Sequence, residues 1–212
     1  SLGAEPELTE VRAFDLAEEP DEVSHRDARS LEAVAGFCRS WQSPLIPVRP
    51  PASFWEPETF VRYMLEVLRY ETSADLVLWN RAAFRTTFLA SLKGKRPALT
   101  EGLLKGVMPF DNAVKVVLVP GTALAPLLKG LSFDAEGRNT TGAVSARGVS
   151  HGPAGAVSVN GRAFDEAKVY RVAMNAFLFD GGDGRIPSAF REAVLAGSSP
   201  GKTRELVREY FA

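Results

Sequence analysis

Between Ala113 and Leu131 the chain changes its repeat, and that change restricts what it can fold into. Ala113 to Val119 is a β-branched run, the composition of a strand, and Pro120 and Gly121 then turn the chain. Leu124, Leu127, Leu128 and Leu131 follow at i, i+3, i+4 and i+7, an apolar stripe along one helix face. A striped helix that leaves a strand through so short a turn buries its stripe on the sheet, so the unit predicts a layered fold.

Similar signals recur on both sides. Pro57 suits a first helical turn, and Phe60, Met64, Val67 and Leu68 line one face of a helix running to about Tyr70. Asp75 to Asn80, DLVLWN, then reads as a short buried strand. Thr100 caps a short helix through Lys105, and Pro109 breaks the chain before the β-branched strand. A Gly-, Ser-, Thr- and Asn-rich loop is expected from Asp134 to Gly155. Asn160 and Gly161, between Ala156–Val159 and Arg162–Phe164, predict a hairpin with a type I′ turn. Val169 to Phe179 predicts a further strand leading into the turn Gly181, Gly182, Asp183, Gly184, and helices are expected over about Ser188–Ala196 and Thr203–Phe211. The sum is an α+β domain, a mixed β-sheet flanked by helices.

The first quarter of the chain reads differently. Ser1 to Asp21 is acidic and Pro-bearing around one apolar segment, Val11 to Leu16, which suggests a tether with one strand. Ser24 and Asp27 resemble a helix cap pair, and Leu31, Val34, Cys38 and Trp41 recur at helical spacing up to about Gln42. Four prolines between Ser43 and Ser53 impose an extended connector or edge strand. The expected division is 1–55 for tether, linker helix and connector, and 56–212 for the domain.

Composition excludes several classes. The net charge is −1 and the basic residues are scattered, so there is no footprint for duplex nucleic acid or an anionic membrane. No stretch is long and apolar enough to span a bilayer, and residues 1–30 carry no secretory signal pattern. The single cysteine, Cys38, can form no intramolecular disulfide. His25 and His151 are far apart in sequence and lack D-x-H or G-N-H-[DE] neighbours, so no complete dimetal ligand set is visible. Gly148 to Gly152, Gly-Val-Ser-His-Gly, is not a nucleophile elbow.

Four segments, DLVLWNRAAFR (Asp75–Arg85), MPFDNAVKVVLVPG (Met108–Gly121), VSVNGRAFDEAKVYRVAMN (Val157–Asn175) and AFLFDGGDGR (Ala176–Arg185), resemble the C-terminal, substrate-recognising domain of 5'-nucleotidases and of the related UDP-sugar hydrolases and cyclic-nucleotide phosphodiesterases. The resemblance runs from about Glu56 to Arg185 and weakens beyond, and the helix at 24–42 resembles the linking helix before that domain. It implies a partner, an N-terminal metallophosphoesterase domain holding two divalent metal ions, with no metal or cofactor in this chain. The ligand implied is a nucleotide or nucleoside, and family habit suggests export to the periplasm or cell surface.

Site residues follow from the same resemblance. Phe110 and Phe177 align with the aromatic pair that sandwiches the base, the alternative being core phenylalanines. Asn112 aligns with the residue that bonds the base edge, and Asp183 with the one that binds the ribose hydroxyls, the alternative being a turn residue bonding its own backbone amides. Arg85 aligns with the phosphate-contacting arginine that ends N-G-G-[IV]-R, Asn80 with its first residue, and Gly142 with a glycine approaching the base. The motif's glycines are Arg81 and Ala82 here, and the usual aromatic after GGDG is Arg185, which puts tight phosphate handling in doubt. Arg62 or Arg69 could stand in for upstream phosphate arginines. The alternative to a recognition domain is a degenerate, non-catalytic nucleoside-binding or structural module.

Overall fold

The structure, a computed structural model, describes residues 42–46, 50–92, 94–95, 97–131, 144–152 and 155–212. These lie within one compact unit, Ser40–Ala212. The expected strand at 11–16, the helix at 24–42 apart from its last residue, and Gly142 fall outside the described residues.

Seven helices and eight strands are described. The helices are α1 (Pro57–Glu71), α2 (Thr86–Leu92), α3 (Glu101–Val107), α4 (Gly121–Lys129), α5 (Ala176–Phe179), α6 (Ser188–Glu192) and α7 (Thr203–Phe211). The strands are β1 (Leu76–Asn80), β2 (Val114–Pro120), β3 (Val144–Arg147), β4 (Val149–His151), β5 (Val157–Val159), β6 (Arg162–Ala163), β7 (Val169–Asn175) and β8 (Ala196–Ser198). Five strands make a mixed sheet in the order β3, β1, β7, β2, β8, and β4, β5 and β6 make a small antiparallel sheet. Strand β7 is central: it runs parallel to β1, with Val77 opposite Ala173, and antiparallel to β2, with Val117 opposite Val172.

Strand alternation sends side chains to two faces, and both are covered. Val77, Trp79, Val114, Val116 and Ala173 join a core with Phe60, Met64 and Leu68 of α1, Leu104 and Val107 of α3, and Leu206 and Val207 of α7. Leu76, Leu78, Val117, Val119, Val172 and Met174 join a second core with Leu124 and Leu128 of α4 and Phe190 of α6. This is why β1 is buried along its whole length, and why DLVLWN carries no polar alternation.

Several expectations hold closely. Thr100 accepts the Leu103 amide and caps α3, α1 ends at Glu71, and α7 covers Thr203–Phe211. The hairpin turn has positive φ at both Asn160 (50°) and Gly161 (72°), the type I′ form.

Three expectations are corrected. The strand from Val169 stops at Asn175, because the Asn175 side chain accepts the Leu178 amide and starts α5. The helix from Ser188 stops at Glu192, because Leu195 donates to the Leu118 carbonyl and the following residues pair with the free edge of β2. The expected loop from Asp134 contains β3 and β4: Val144–Arg147 pairs antiparallel with β1, and Gly148 turns the chain at φ 81°, where a Cβ would stand 2.3 Å from the Asp75 carbonyl oxygen. Helix α2 carried no clear sequence signal.

Candidate functional site

The topology selects one edge of the main sheet. Because β1 and β7 are parallel, their C-terminal residues, Asn80 and Asn175, come to the same edge. Because β2 is antiparallel to β7, with Val114 opposite Asn175, the segment entering β2 arrives there as well. That segment carries Phe110 and Asn112, while the chain leaving β7 carries Phe177 and Asp183, so residues far apart in sequence converge. Strand ends of this kind are where open sheets leave room for ligands.

Asn175 joins the pieces. It is fully buried; its Oδ1 accepts the Leu178 amide at 2.7 Å, and its Nδ2 donates to Asn80 Oδ1 at 2.5 Å. Asn80 Nδ2 donates in turn to Asp183 Oδ2 at 3.3 Å, and the Ala176 amide donates to the Ala113 carbonyl at 2.8 Å. A hydrogen-bonded line therefore runs from the start of α5 through both strand ends to the GGDG turn. The Asp183 carboxylate bonds Asn80, 103 residues away in sequence, instead of amides of its own turn. Asp183 sits at φ 60°, a left-handed conformation that Asp tolerates better than most residues.

The two aromatic residues are at the surface. Phe110 is 48 % exposed and Phe177 is 46 % exposed, so neither is a core phenylalanine. The Phe177 ring lies on Gly182: a Cβ there would stand 2.5 Å from its Cε1 and Cζ. Only glycine admits the ring at that depth. The guanidinium of Arg85 lies over the ring of Phe110, its Cζ 5.2 Å from the centroid. The Arg85 amide donates to the Val107 carbonyl at 2.8 Å, which joins the end of the Asn80–Arg85 segment to the stretch preceding Phe110. The Asn112 carbonyl accepts from the backbone amide and hydroxyl of Thr203, while its side-chain amide makes no hydrogen bond among the described residues.

The remaining arginines separate cleanly. Arg81 grips the Glu58 carboxylate with both Nη atoms and is largely buried, so it braces the end of β1 against α1. Neither Arg81 nor Ala82 has a positive φ. Arg62 lines a narrow crevice with Glu58, Arg81 and Ser145. Arg69 bonds Glu66 and, at 3.1 Å, Asn160 Oδ1; it lies at the start of β1, the opposite end of the sheet from Asn80. Arg185 is exposed and lines a groove with Leu127, Leu131 and Ile186.

The structure thus brings Asn80, Asp183, Phe177, Phe110, Asn112 and Arg85 to one edge and leaves Arg69 out. Asn175 was missed as a site residue, although an Asn ahead of an apolar run is a legible helix cap. Among the described residues no three His, Cys, Asp or Glu side chains lie together as a metal cluster would require. Among the same residues no helix is long and apolar enough to cross a membrane.

Comparison with known proteins agrees with this architecture. No curated protein sequence matches the chain. Two similar solved structures are a 5'-nucleotidase precursor from Thermus thermophilus (TM-score 0.56, 21% identity, covering 87% of this chain and 40% of that one) and a Haemophilus influenzae NAD nucleotidase (TM-score 0.54, 18% identity, 87% and 38%). The chain therefore spans well under half the length of either, and at these identities the likeness is one of fold. The family model described as 5'-nucleotidase, C-terminal domain matches residues 51–192, and the chain belongs to that family.

Proposed function

We propose that this domain is the substrate-recognition half of a two-domain, metal-dependent phosphoester hydrolase and holds the nucleoside end of a nucleotide. The observation that carries this reading is the convergence of two half-exposed rings, Phe110 and Phe177, with the side-chain amide of Asn112 and the carboxylate of Asp183 at one sheet edge. Flat apolar faces desolvate a base whatever its identity, a free amide can read its edge, and an acceptor-only carboxylate suits the ribose diol. The family supports the reading, as do neighbours named for 5'-nucleotidase and NAD nucleotidase activity.

In this proposal the two divalent ions belong to a metallophosphoesterase domain that this domain would serve. The donors among the described residues do not fit such a centre, so no step of phosphoester cleavage is assigned to them. What this chain contributes is positioning: the base between the rings, the ribose on Asp183, and the phosphate toward Arg85.

Calorimetric titration with adenosine and AMP tests the reading. Stacking is worth about 1–3 kcal/mol per base, so each of Phe110→Ala and Phe177→Ala is expected to weaken adenosine binding by ~5- to 150-fold. Binding that survives the double substitution, or no saturable binding to the parent chain at millimolar ligand, would defeat it.

One observation favours a second reading, a nucleoside-binding module that has lost its phosphate role. Arg81 replaces a glycine and is committed to Glu58, and Arg85 is committed to the Phe110 ring. Under this reading AMP binds no better than adenosine, and restoring glycine at Arg81 and Ala82 leaves that ratio unchanged.

A further inference from the structure

The segment Met108–Asn112 carries two of the six converging residues, yet it belongs to no helix or strand. Its regular anchor is the Met108 amide, which closes the last turn of α3 on the Leu104 carbonyl. Pro109 offers no donor. The order of this loop therefore has to come from elsewhere.

It comes from the N-terminal turn of α7. Arg204 Nη1 donates to the carbonyls of Met108 (2.8 Å) and Pro109 (3.1 Å), and its Nη2 stands 3.4 Å from Asp111 Oδ2. The Arg204 amide donates to Asp111 Oδ1 at 3.0 Å, and the Thr203 amide and hydroxyl both donate to the Asn112 carbonyl, at 3.0 and 2.8 Å. The Arg204 side chain is only 13% exposed, and its Nε is buried with no partner among the described residues. A guanidinium that leaves one donor unsatisfied while its others bond three residues of a loop ties those residues together. On its other flank the loop presents Phe110 to Arg85.

We infer that Arg204 and Thr203 are positioning residues for the base-binding loop, holding Phe110 and Asn112 in place before any ligand arrives. Both lie on the C-terminal helix, beyond residues 51–192, the part matched to the family model. The inference rests on the nucleoside-platform reading for its purpose, though the clamp itself can be tested without it. The contacts of Arg204 are to Met108, Pro109 and Asp111, so it acts through the loop that carries Phe110 and Asn112. A loop ordered in advance spares the ligand the entropy of ordering it, so losing the clamp should appear as lost affinity.

The test uses the 212-residue chain with Arg204→Ala, Arg204→Lys and Phe110→Ala, alone and combined. Hydrogen exchange is read at residues 108–114 and across β1 and β7, alongside adenosine titration. Arg204→Ala is expected to speed exchange in the loop selectively and to weaken adenosine about tenfold, the scale of a charge-assisted hydrogen bond. Arg204→Lys, which keeps the charge but not the fork, is expected to fall between. In the Phe110→Ala background Arg204→Ala should cost less affinity than in the parent chain, because only Asn112 is then left to misplace, a coupling that a purely structural role would not produce. Unchanged loop exchange in Arg204→Ala, or affinity losses that simply add, would overturn the inference. If Arg204→Ala unfolds the chain, exchange in Arg204→Lys decides the same question. If the parent chain binds no adenosine, the recognition reading fails, while loop exchange still decides whether the clamp exists.

Discussion

One side-chain amide, that of Asn175, both caps a helix and holds Asn80 in place. Replacing it with alanine removes the cap, worth about 1 kcal/mol, and leaves a buried acceptor on Asn80 unpaired, worth about 1–3 kcal/mol more. Asn175→Ala is therefore expected to cost about 2–4 kcal/mol in urea unfolding, and a loss below ~1 kcal/mol would show that the line of amides is not held as described. Gly182 offers the opposite case. A methyl there meets the Phe177 ring at 2.5 Å, but that ring is half exposed and can swing aside. Gly182→Ala should leave stability within about 1 kcal/mol of the parent and weaken adenosine roughly tenfold by moving one stacking face. Equal affinities would mean that Phe177 takes no part in binding.

Among the elements, short helices are stable here only because tertiary contacts and caps compensate for their length. Helix α3 has seven residues, and its first turn is closed by the Thr100 hydroxyl. Thr100→Ala should lower stability by about 1 kcal/mol, or ~2–4 °C in melting temperature for a domain of this size, without affecting ligand affinity. Helix α1 presents the contrast. It is fifteen residues long, with Phe60, Met64, Leu65 and Leu68 all buried, and Leu68→Ala should cost about 2–5 kcal/mol by calorimetry. A smaller loss would mean that the α1 face repacks around the cavity.

Across the whole molecule, Glu66 ties α1 to the sheet edge through Arg69 on its own helix and Arg147 on β3. Partial burial pushes its carboxyl upward, but hydrogen bonds and charge from the two arginines outweigh this and hold it below the ordinary Glu value of 4.5. A folded pKa lower than the unfolded one gives stability that is present above 4.5 and is lost as pH falls through the lower folded value. Glu66→Gln should therefore narrow the difference in urea midpoint between pH 7 and acid conditions. An unchanged difference would locate the acid sensitivity in other carboxylates.

The sequence alone determined whatever depends on neighbours along the chain. Helical periodicity placed α1 and α4 because one face of each must be buried, short apolar or β-branched runs placed β1 and β2, the Asn160–Gly161 pair set its hairpin through backbone sterics, and the quoted motifs pointed to the family. Elements whose partners are distant were not legible: Ala196–Ser198 is a strand because β2 has a free edge, and Val144–Arg147 is one because β1 does. The candidate site divides the same way. Phe110, Asn112, Phe177 and Asp183 could be named from motifs, but their meeting depends on β7 lying between a parallel β1 and an antiparallel β2, which no local signal encodes. The commitments of Arg81 to Glu58, Asn175 to Asn80 and Arg204 to the Met108–Asn112 loop were likewise decided only in three dimensions, because a hydrogen bond between residues 23, 95 or 96 positions apart exists only after the sheet has formed.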